Sequence, residues 1–403
     1  MSETRYFFGT DYVQASQALQ DTVAQGAYIN PETSNAAVVQ QWIAKTFQTI
    51  NYQNATLPPF MMNTASSNSF STISVTTGAA SGTAYSGCVL VPDGRVVFVP
   101  FTATNVGVFN PFTNSFTSYT ATGLSTAQKF AGGVLLPDGR VLFVPYTSAN
   151  VGVFNTVTNT YSNAAPSPGL STAYYGGVLA PDSNVYFVPN NNSANIGCYN
   201  TITNVYSNAL AVTTGAASAY RGGVLHPNGK IYFVPNSATN VGIFDPITFT
   251  YSSVSTAGNG LPTTAFRGGV LVPDGRIIFV PFSSSNVGSF NVTTGAYSNA
   301  STTGISIASA NSGGCLLPDG RVFFCPHSAT TIQIFNPVTN TYTSITQTTA
   351  PPGSTAYNSC VLLPDGRVIT SPYGTVSAAT VGVFTGGTPV PSQVCLHPIF
   401  NKF

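Results

Sequence analysis

Pro-Asp-Gly occurs five times in this chain, at Pro92-Asp93-Gly94, Pro137-Asp138-Gly139, Pro273-Asp274-Gly275, Pro318-Asp319-Gly320 and Pro364-Asp365-Gly366. The variants Pro181-Asp182-Ser183 and Pro227-Asn228-Gly229 fill the gaps, so seven turns recur at intervals of about 45 residues. A fixed period of this length marks a repeat architecture. Asp-Gly and Asn-Gly suit a two-residue hairpin because both positions tolerate positive φ, which matches the twist of the flanking strands. Each turn joins a strand of the Gly-Gly-Val-Leu-Leu type to one of the Arg-Val-Phe-Phe-Val-Pro type. A third strand follows as Asn-Val-Gly-Val-Phe (105–109, 150–154, 240–244), and a fourth follows an Asn-Pro-x-Thr-Asn turn, as in Thr341–Ile345. Four short strands make one blade, and seven units predict an all-β, seven-bladed β-propeller.

The count of strands also predicts how the ring closes. Fourth strands begin near Phe116, Tyr161, Tyr206, Tyr251, Tyr297 and Tyr342, but the seventh unit ends its third strand at Phe384 and runs into Gly386-Gly387-Thr388-Pro389. The missing strand lies at the other end, where Asn68–Ile73 matches Asn340–Ile345 in spacing and type. An N-terminal strand should therefore complete the last blade, leave no open sheet edge and make the ring unfold as one unit. This divides the chain into a helical or extended anchor segment (1–67), the propeller (68–384) and a C-terminal tail (385–403). Within the first segment, 11–25 and 34–50 read as short helices, with Asp11 and Ser34 or Asn35 as N-caps and Gly26 as a stop. Val39, Ile43 and Phe47 form an apolar stripe beside Trp42, expected to pack on the propeller or to anchor the chain to another subunit.

Charged residues are only 6% of the chain, against roughly 25% in an average soluble protein, so Ser, Thr, Asn and Gly carry its solubility. A formal net charge of +1 exerts no long-range pull on nucleic acid or an anionic membrane. No run approaches the length needed for membrane insertion, and the N-terminus lacks the basic-then-apolar order of a signal peptide, which predicts folding in a cytosol. Cys88, Cys315 and Cys360 fall where other copies carry Val134, Val178, Val224 and Val270, and read as small buried hydrophobes. Cys198, Cys325 and Cys395 show neither metal spacing nor a pairing scheme.

The acids leave no catalytic surplus. Asp93, Asp138, Asp182, Asp274, Asp319 and Asp365 are hairpin turn residues, Asp245 replaces the turn-forming Asn110 or Asn336, and no Glu occurs beyond position 32. A glycosidase pair, a Ser-His-Asp triad or a calcium cage would each need acids free of such duties. No catalytic residue, metal or cofactor is therefore expected. Arg95, Arg140, Arg276, Arg321 and Arg367, with Lys230, follow the turns and can pair with their acids at little energetic gain. Arg221 and Arg267 differ: they occupy equivalent places before Gly-Gly in adjacent repeats, where other copies have Ser86, Ala131, Ser312 and Asn358, and the preceding repeat has Tyr175. The three should form one sector near the channel mouth, suited to a carboxylate, a sugar or a partner loop. The aromatic residue one place earlier (Tyr85, Phe130, Tyr174, Tyr220, Phe266, Tyr357) reads as packing between blades.

Leu316–Phe324 (Leu-Leu-Pro-Asp-Gly-Arg-Val-Phe-Phe) followed by Phe335–Tyr342 (Phe-Asn-Pro-Val-Thr-Asn-Thr-Tyr) resembles the repeats of kelch-type propellers, including galactose-oxidase-like proteins. The resemblance covers 68–384. It departs where kelch repeats place a double glycine after the second strand, here Val99-Pro100, Val144-Pro145 or Val280-Pro281. What it implies is the fold, which does not carry function. A copper radical site of that family would need paired tyrosines, two histidines and a thioether-forming cysteine at one end of the channel. Only His226, His327 and His397 are present, each in a different context, and each reads as an ordinary loop or strand residue. The functional expectation is a non-enzymatic virion structural protein, a capsid-decorating, tail or fibre component that displays the propeller. Its partners would be other virion subunits and a host glycan or receptor. A carbohydrate-binding propeller lectin and a degenerate galactose-oxidase-like enzyme are the alternatives, testable by a glycan array and by bound copper.

Overall fold

The computed structural model describes residues 68–386, apart from 76–82, 125–126, 167–171, 192–194, 213–215, 301–308, 346–354 and 375–379. The segments expected to anchor the chain, with Val39, Trp42, Ile43 and Phe47, and the tail beyond Gly386 lie outside the described residues. Twenty-eight described strands, β1 to β28 in chain order, form seven antiparallel sheets of four. In the first blade the inner strand β2 (Tyr85–Leu90) descends to the Pro-Asp-Gly turn and β3 (Val96–Pro100) returns. The outer strands β4 (Asn105–Asn110) and β5 (Ser115–Thr120) follow. The order repeats through the sixth blade. The seventh is built from β26 (Tyr357–Leu362), β27 (Arg367–Pro372) and β28 (Thr380–Thr385), and is completed by β1 (Ser69–Ser74), with Ser69 opposite Thr385 and Ser74 opposite Thr380. The strand expected at the N-terminal end thus closes the ring.

Burial is distributed, because each sheet is apolar on both faces and covers its neighbours. Seven hydrophobic clusters each span one boundary between consecutive blades, such as Val89, Val99 and Val106 against Phe130, Phe143 and Phe154, or Phe323 and Ile334 against Tyr357 and Phe384. The repeated aromatic residue that starts the inner strand is fully buried. Its ring contacts run mainly within its own blade rather than between blades: Tyr85 meets Phe98 and Phe116, and Phe130 meets Phe143 and Tyr161. The pleat brings the first, second and fourth strands' rings to one face, where an edge or stacked arrangement adds to the area buried.

The cysteines need a correction of one residue. Cys315 pairs with Phe323 as Val134 pairs with Leu142, so it takes the valine place. Cys88 and Cys360 pair with Phe98 and Thr370, the register of Gly133, Gly177, Gly223, Gly269 and Gly314. They replace glycine, and space is made by the preceding blade, which carries Ser371 or Cys325 where the others carry valine.

At the end of the ring opposite the Pro-Asp-Gly turns, backbone groups form a closed belt. Ala84, Lys129, Ala173, Ala219, Ala265, Ala310 and Ala356, just before the seven inner strands, each donate N–H to a carbonyl of the preceding blade. Each also accepts an N–H from the residue that follows the second-strand proline of its own blade. The belt runs Phe101 to Ala84 to Tyr373 to Ala356 and onward until it returns to Phe101, fourteen bonds of 2.7–3.1 Å. Lys129 stands where six blades have alanine. It is buried, and its ammonium is held by the carbonyls of Phe101, Ala103 and Ala127 at 3.1, 2.9 and 3.2 Å, while burial lowers its pKa to about 8.

At the turn end, the arginines do more than pair with their own acids. Arg95 binds Asp93 at 2.6 Å and reaches across to Thr156 O and Asn159 in the second blade. Arg140 reaches Asn204 of the third blade, Arg276 reaches Pro337 O and Asn340 of the sixth, and Arg367 reaches Pro111 O of the first. Asp93, Asp138, Asp274 and Asp365 therefore each hold a guanidinium that clasps the next blade.

Candidate functional site: the channel mouth

All seven inner strands carry the same irregularity. In the first blade Tyr85 pairs with Pro100 and the next pair is Cys88 with Phe98, so Ser86 and Gly87 oppose a single residue. The same register shift occurs in the other six blades. A bulge of this kind re-aims one side chain out of the pleat, here the position held by Ser86, Ala131, Tyr175, Arg221, Arg267, Ser312 and Asn358. The residue after it is glycine in six blades because consecutive bulges touch: a Cβ on Gly222 would stand 3.1 Å from Gly268 Cα, and one on Gly268 2.9 Å from Gly313 Cα.

A second layer comes from the residue after the proline that ends each second strand: Phe101, Tyr146, Asn190, Asn236, Phe282, His327 and Tyr373. Five rings of this layer touch in sequence around blades five, six, seven, one and two. Phe282 lies 5.4 Å from His327, His327 5.6 Å from Tyr373, Tyr373 5.9 Å from Phe101 and Phe101 5.6 Å from Tyr146. In blades three and four the layer holds Asn190 and Asn236, almost fully buried. Their Nδ2 groups donate to Thr172 O and Ser218 O, at 3.0 and 2.9 Å. A carbonyl can only accept, so this orients both amides and leaves each Oδ1 without a partner.

The structure brings Tyr175, Arg221 and Arg267 to this mouth as one sector. Arg221 Cζ lies 4.5 Å from the Tyr175 ring centroid, and Arg267 Cζ lies 3.3 Å from that of Phe282. Tyr175 stands edge-on to Tyr146 at 6.0 Å and accepts a hydrogen bond from Asn358 on the far side at 3.0 Å. A guanidinium stacked by its face keeps its N–H donors in the plane of its edge, and the Nε atoms of both arginines are buried without a partner. The described carboxylates are engaged elsewhere: five with turn arginines, Asp245 with Lys230 and Asp182 with Tyr186 and Asn184. Among the described residues the pair of positive charges thus has no carboxylate partner. Desolvation and the neighbouring Arg221 lower the Arg267 pKa to about 9. Desolvation, then the positive charge of Arg267, lowers that of His327 to about 3, so the imidazole is neutral and its Nδ1 is unpartnered. Burial raises the phenols of Tyr146 and Tyr373.

Of the histidines, His226 packs edge-on to Tyr232 beside its turn and accepts from Asn228 N, whereas His327 joins the channel layer. The layer itself was the signal that sequence reasoning passed over: the place after the second-strand proline is aromatic or histidine in five copies and asparagine in blades three and four. Among the described residues no group of three or more His, Cys, Asp or Glu is placed to hold a metal ion.

The geometry defines the class: a seven-bladed β-propeller whose channel mouth carries a pair of arginines stacked on aromatic rings. No family model matches the sequence, and no curated protein matches it. Among solved structures the chain is similar to a catalytically inactive virginiamycin B lyase from Staphylococcus aureus with quinupristin, at 15% identity and a TM-score of 0.62, covering 79% of this chain and 99% of that one. It is also similar to hydrazine synthase of Kuenenia stuttgartiensis, at 15% identity and a TM-score of 0.59 with the same coverage. These likenesses show the propeller fold.

Proposed function

We propose that the protein is a non-enzymatic recognition propeller, carried as a structural component of a virion, whose contact surface is the sector of Tyr175, Arg221 and Arg267. The observation that carries this reading is the pair of guanidiniums at the mouth, which have no carboxylate partner among the described residues, whose acids are all engaged in turns. Two like charges held together in a low-dielectric site cost stability, and a cost retained at one sector of an otherwise regular ring points to a ligand. The virion setting is supported by the low-charge Ser, Thr and Asn surface, and the kelch-like character of the repeat by Leu316–Phe324 and Phe335–Tyr342. A lectin-like role is the second reading, favoured by the amides of Asn190 and Asn236 beside the aromatic layer.

The test is proteomics of particles purified from cells that carry the gene, together with host attachment by particles bearing Arg221→Ala and Arg267→Ala. The chain should be found in the particles, and the double variant should be incorporated yet attach less. Absence from particles removes the virion setting, and unchanged attachment removes the sector as the contact surface.

A further inference from the structure

We propose that the channel mouth binds a sugar acid, with its carboxylate on Arg221 and Arg267 and its hydroxyls on Asn190 and Asn236; the inference rests on the reading of this sector as a recognition surface. Eight buried side-chain nitrogen or oxygen atoms lack a partner among the described residues, and five of them belong to the two channel layers in blades three to six. These are Asn190 Oδ1, Asn236 Oδ1, Arg221 Nε, Arg267 Nε and His327 Nδ1. Unpartnered buried polar atoms are costly and rare, so their concentration at one end of one channel is informative.

The sector asks for two kinds of group. The guanidinium edges ask for a planar oxyanion, which an edge-on fork grips through parallel N–H bonds. The two Oδ1 atoms ask for hydrogen-bond donors. An ammonium would supply the donors but is repelled by two neighbouring guanidiniums, which disfavours amino acids and N-terminal peptides. Neutral hydroxyls supply donors without that cost. A single carboxylate on a hydroxyl-bearing body is the chemistry of a uronic or similar sugar acid. Tyr175 and Tyr373, both partly exposed, provide apolar faces for its C–H edges. Arg221 and Arg267 form the partly exposed surface of the sector, and Asn190 and Asn236 hold, in blades three and four, the place that Phe282 holds under Arg267 in blade five.

The experiment is calorimetric titration of the full chain at constant ionic strength with D-glucuronate, and separately with D-glucose, acetate and glutamate. Glucuronate should bind saturably and at least tenfold more tightly than each of the other three. Arg221→Gln and Arg267→Gln should each weaken it by tenfold or more, and Asn190→Leu should weaken glucuronate while leaving acetate unchanged. Arg267→Lys keeps the charge and serves should the glutamine variants not fold; it should lose most of the affinity because the planar fork is gone. Acetate binding as tightly as glucuronate, glutamate binding more tightly, or glucuronate binding that ignores the arginine substitutions would overturn the proposal. If no probe binds while the arginine variants still reduce attachment, the sugar acid is wrong and the recognition surface stands. If attachment is also unaffected, both fall.

Discussion

Asn358 of the seventh blade donates its Nδ2 to the phenol oxygen of Tyr175 of the third, 3.0 Å away across the channel. The same amide donates to Ser86 O and accepts from Ser312 Oγ, each at 3.0 Å, so one buried side chain ties four blades. Tyr175→Phe keeps the ring under Arg221 and loses only the phenol bond, and should cost about 1 kcal/mol. Asn358→Leu strands Ser86 O and Ser312 and should cost about 2–3 kcal/mol. Urea denaturation would show both, and equal losses would mean that the phenol carries the whole tie.

The glycine-to-cysteine exchange predicts coupling between blades. At Gly133 a Cβ would stand 2.7 Å from Val99 Cγ2, and at Gly269 2.8 Å from Val234 Cγ2, so glycine and valine are matched across those boundaries. Cys88 is tolerated because Ser371 takes the valine place. Ser371→Val alone should overpack and destabilise by about 1–3 kcal/mol, and combining it with Cys88→Gly should recover most of the loss. Additive denaturation energies for the pair would refute the match.

His327 gives the stability a defined dependence on pH. Its folded pKa is about 3, against roughly 6.5 in an unfolded chain. Between those values the unfolded state binds the proton and the folded state does not, so stability is full above pH 6.5 and falls as pH drops toward 3. His327→Phe, which copies Phe101 and Phe282, removes this term. Relative to that variant, the wild-type protein should lose up to about 2 kcal/mol between pH 7 and pH 5. Parallel curves for the two proteins would show that the imidazole takes up its proton within the fold.

Phe249 holds a left-handed conformation, φ 51°, where the equivalent residues are Asn114, Asn159, Asn204 and Asn340. A bulky side chain there is strained, while asparagine visits the region readily. Phe249→Asn gives up an edge contact with Phe244 yet should raise stability by a few tenths to about 1 kcal/mol. A thermal midpoint lower than wild type would mean that the exposed ring contributes more than its backbone costs.

Much of this was legible in the chain itself. Seven turns at one spacing leave few alternatives to a ring of blades, and a fourth strand missing at Phe384 but present at Phe70 makes the closure readable. Tyr175, Arg221 and Arg267 stood out because a repeat displays its own exceptions. What stayed hidden depends on distances that no spacing encodes. The residue after the second-strand proline reads as the start of a loop, and only the bulge beside it turns Asn190, His327 and Tyr373 into a channel layer. The one-residue offset of Cys88 from Cys315 is invisible until strands are paired, and the reach of Arg95 to Asn159 depends on how blades abut.

The pairing of Ser69 with Thr385 sets the direction in which the molecule faces. Both residues lie at the Pro-Asp-Gly end, on the seventh blade, whereas Arg221 and Arg267 open at the other end, on the fourth and fifth. The chain therefore enters and leaves the ring at residues 68 and 386 from one rim, like the pin of a hinge, at the end away from the arginine mouth. A reporter or a solid support fused at either point should leave the mouth unobstructed, so the same geometry fixes how the protein should be immobilised to probe it.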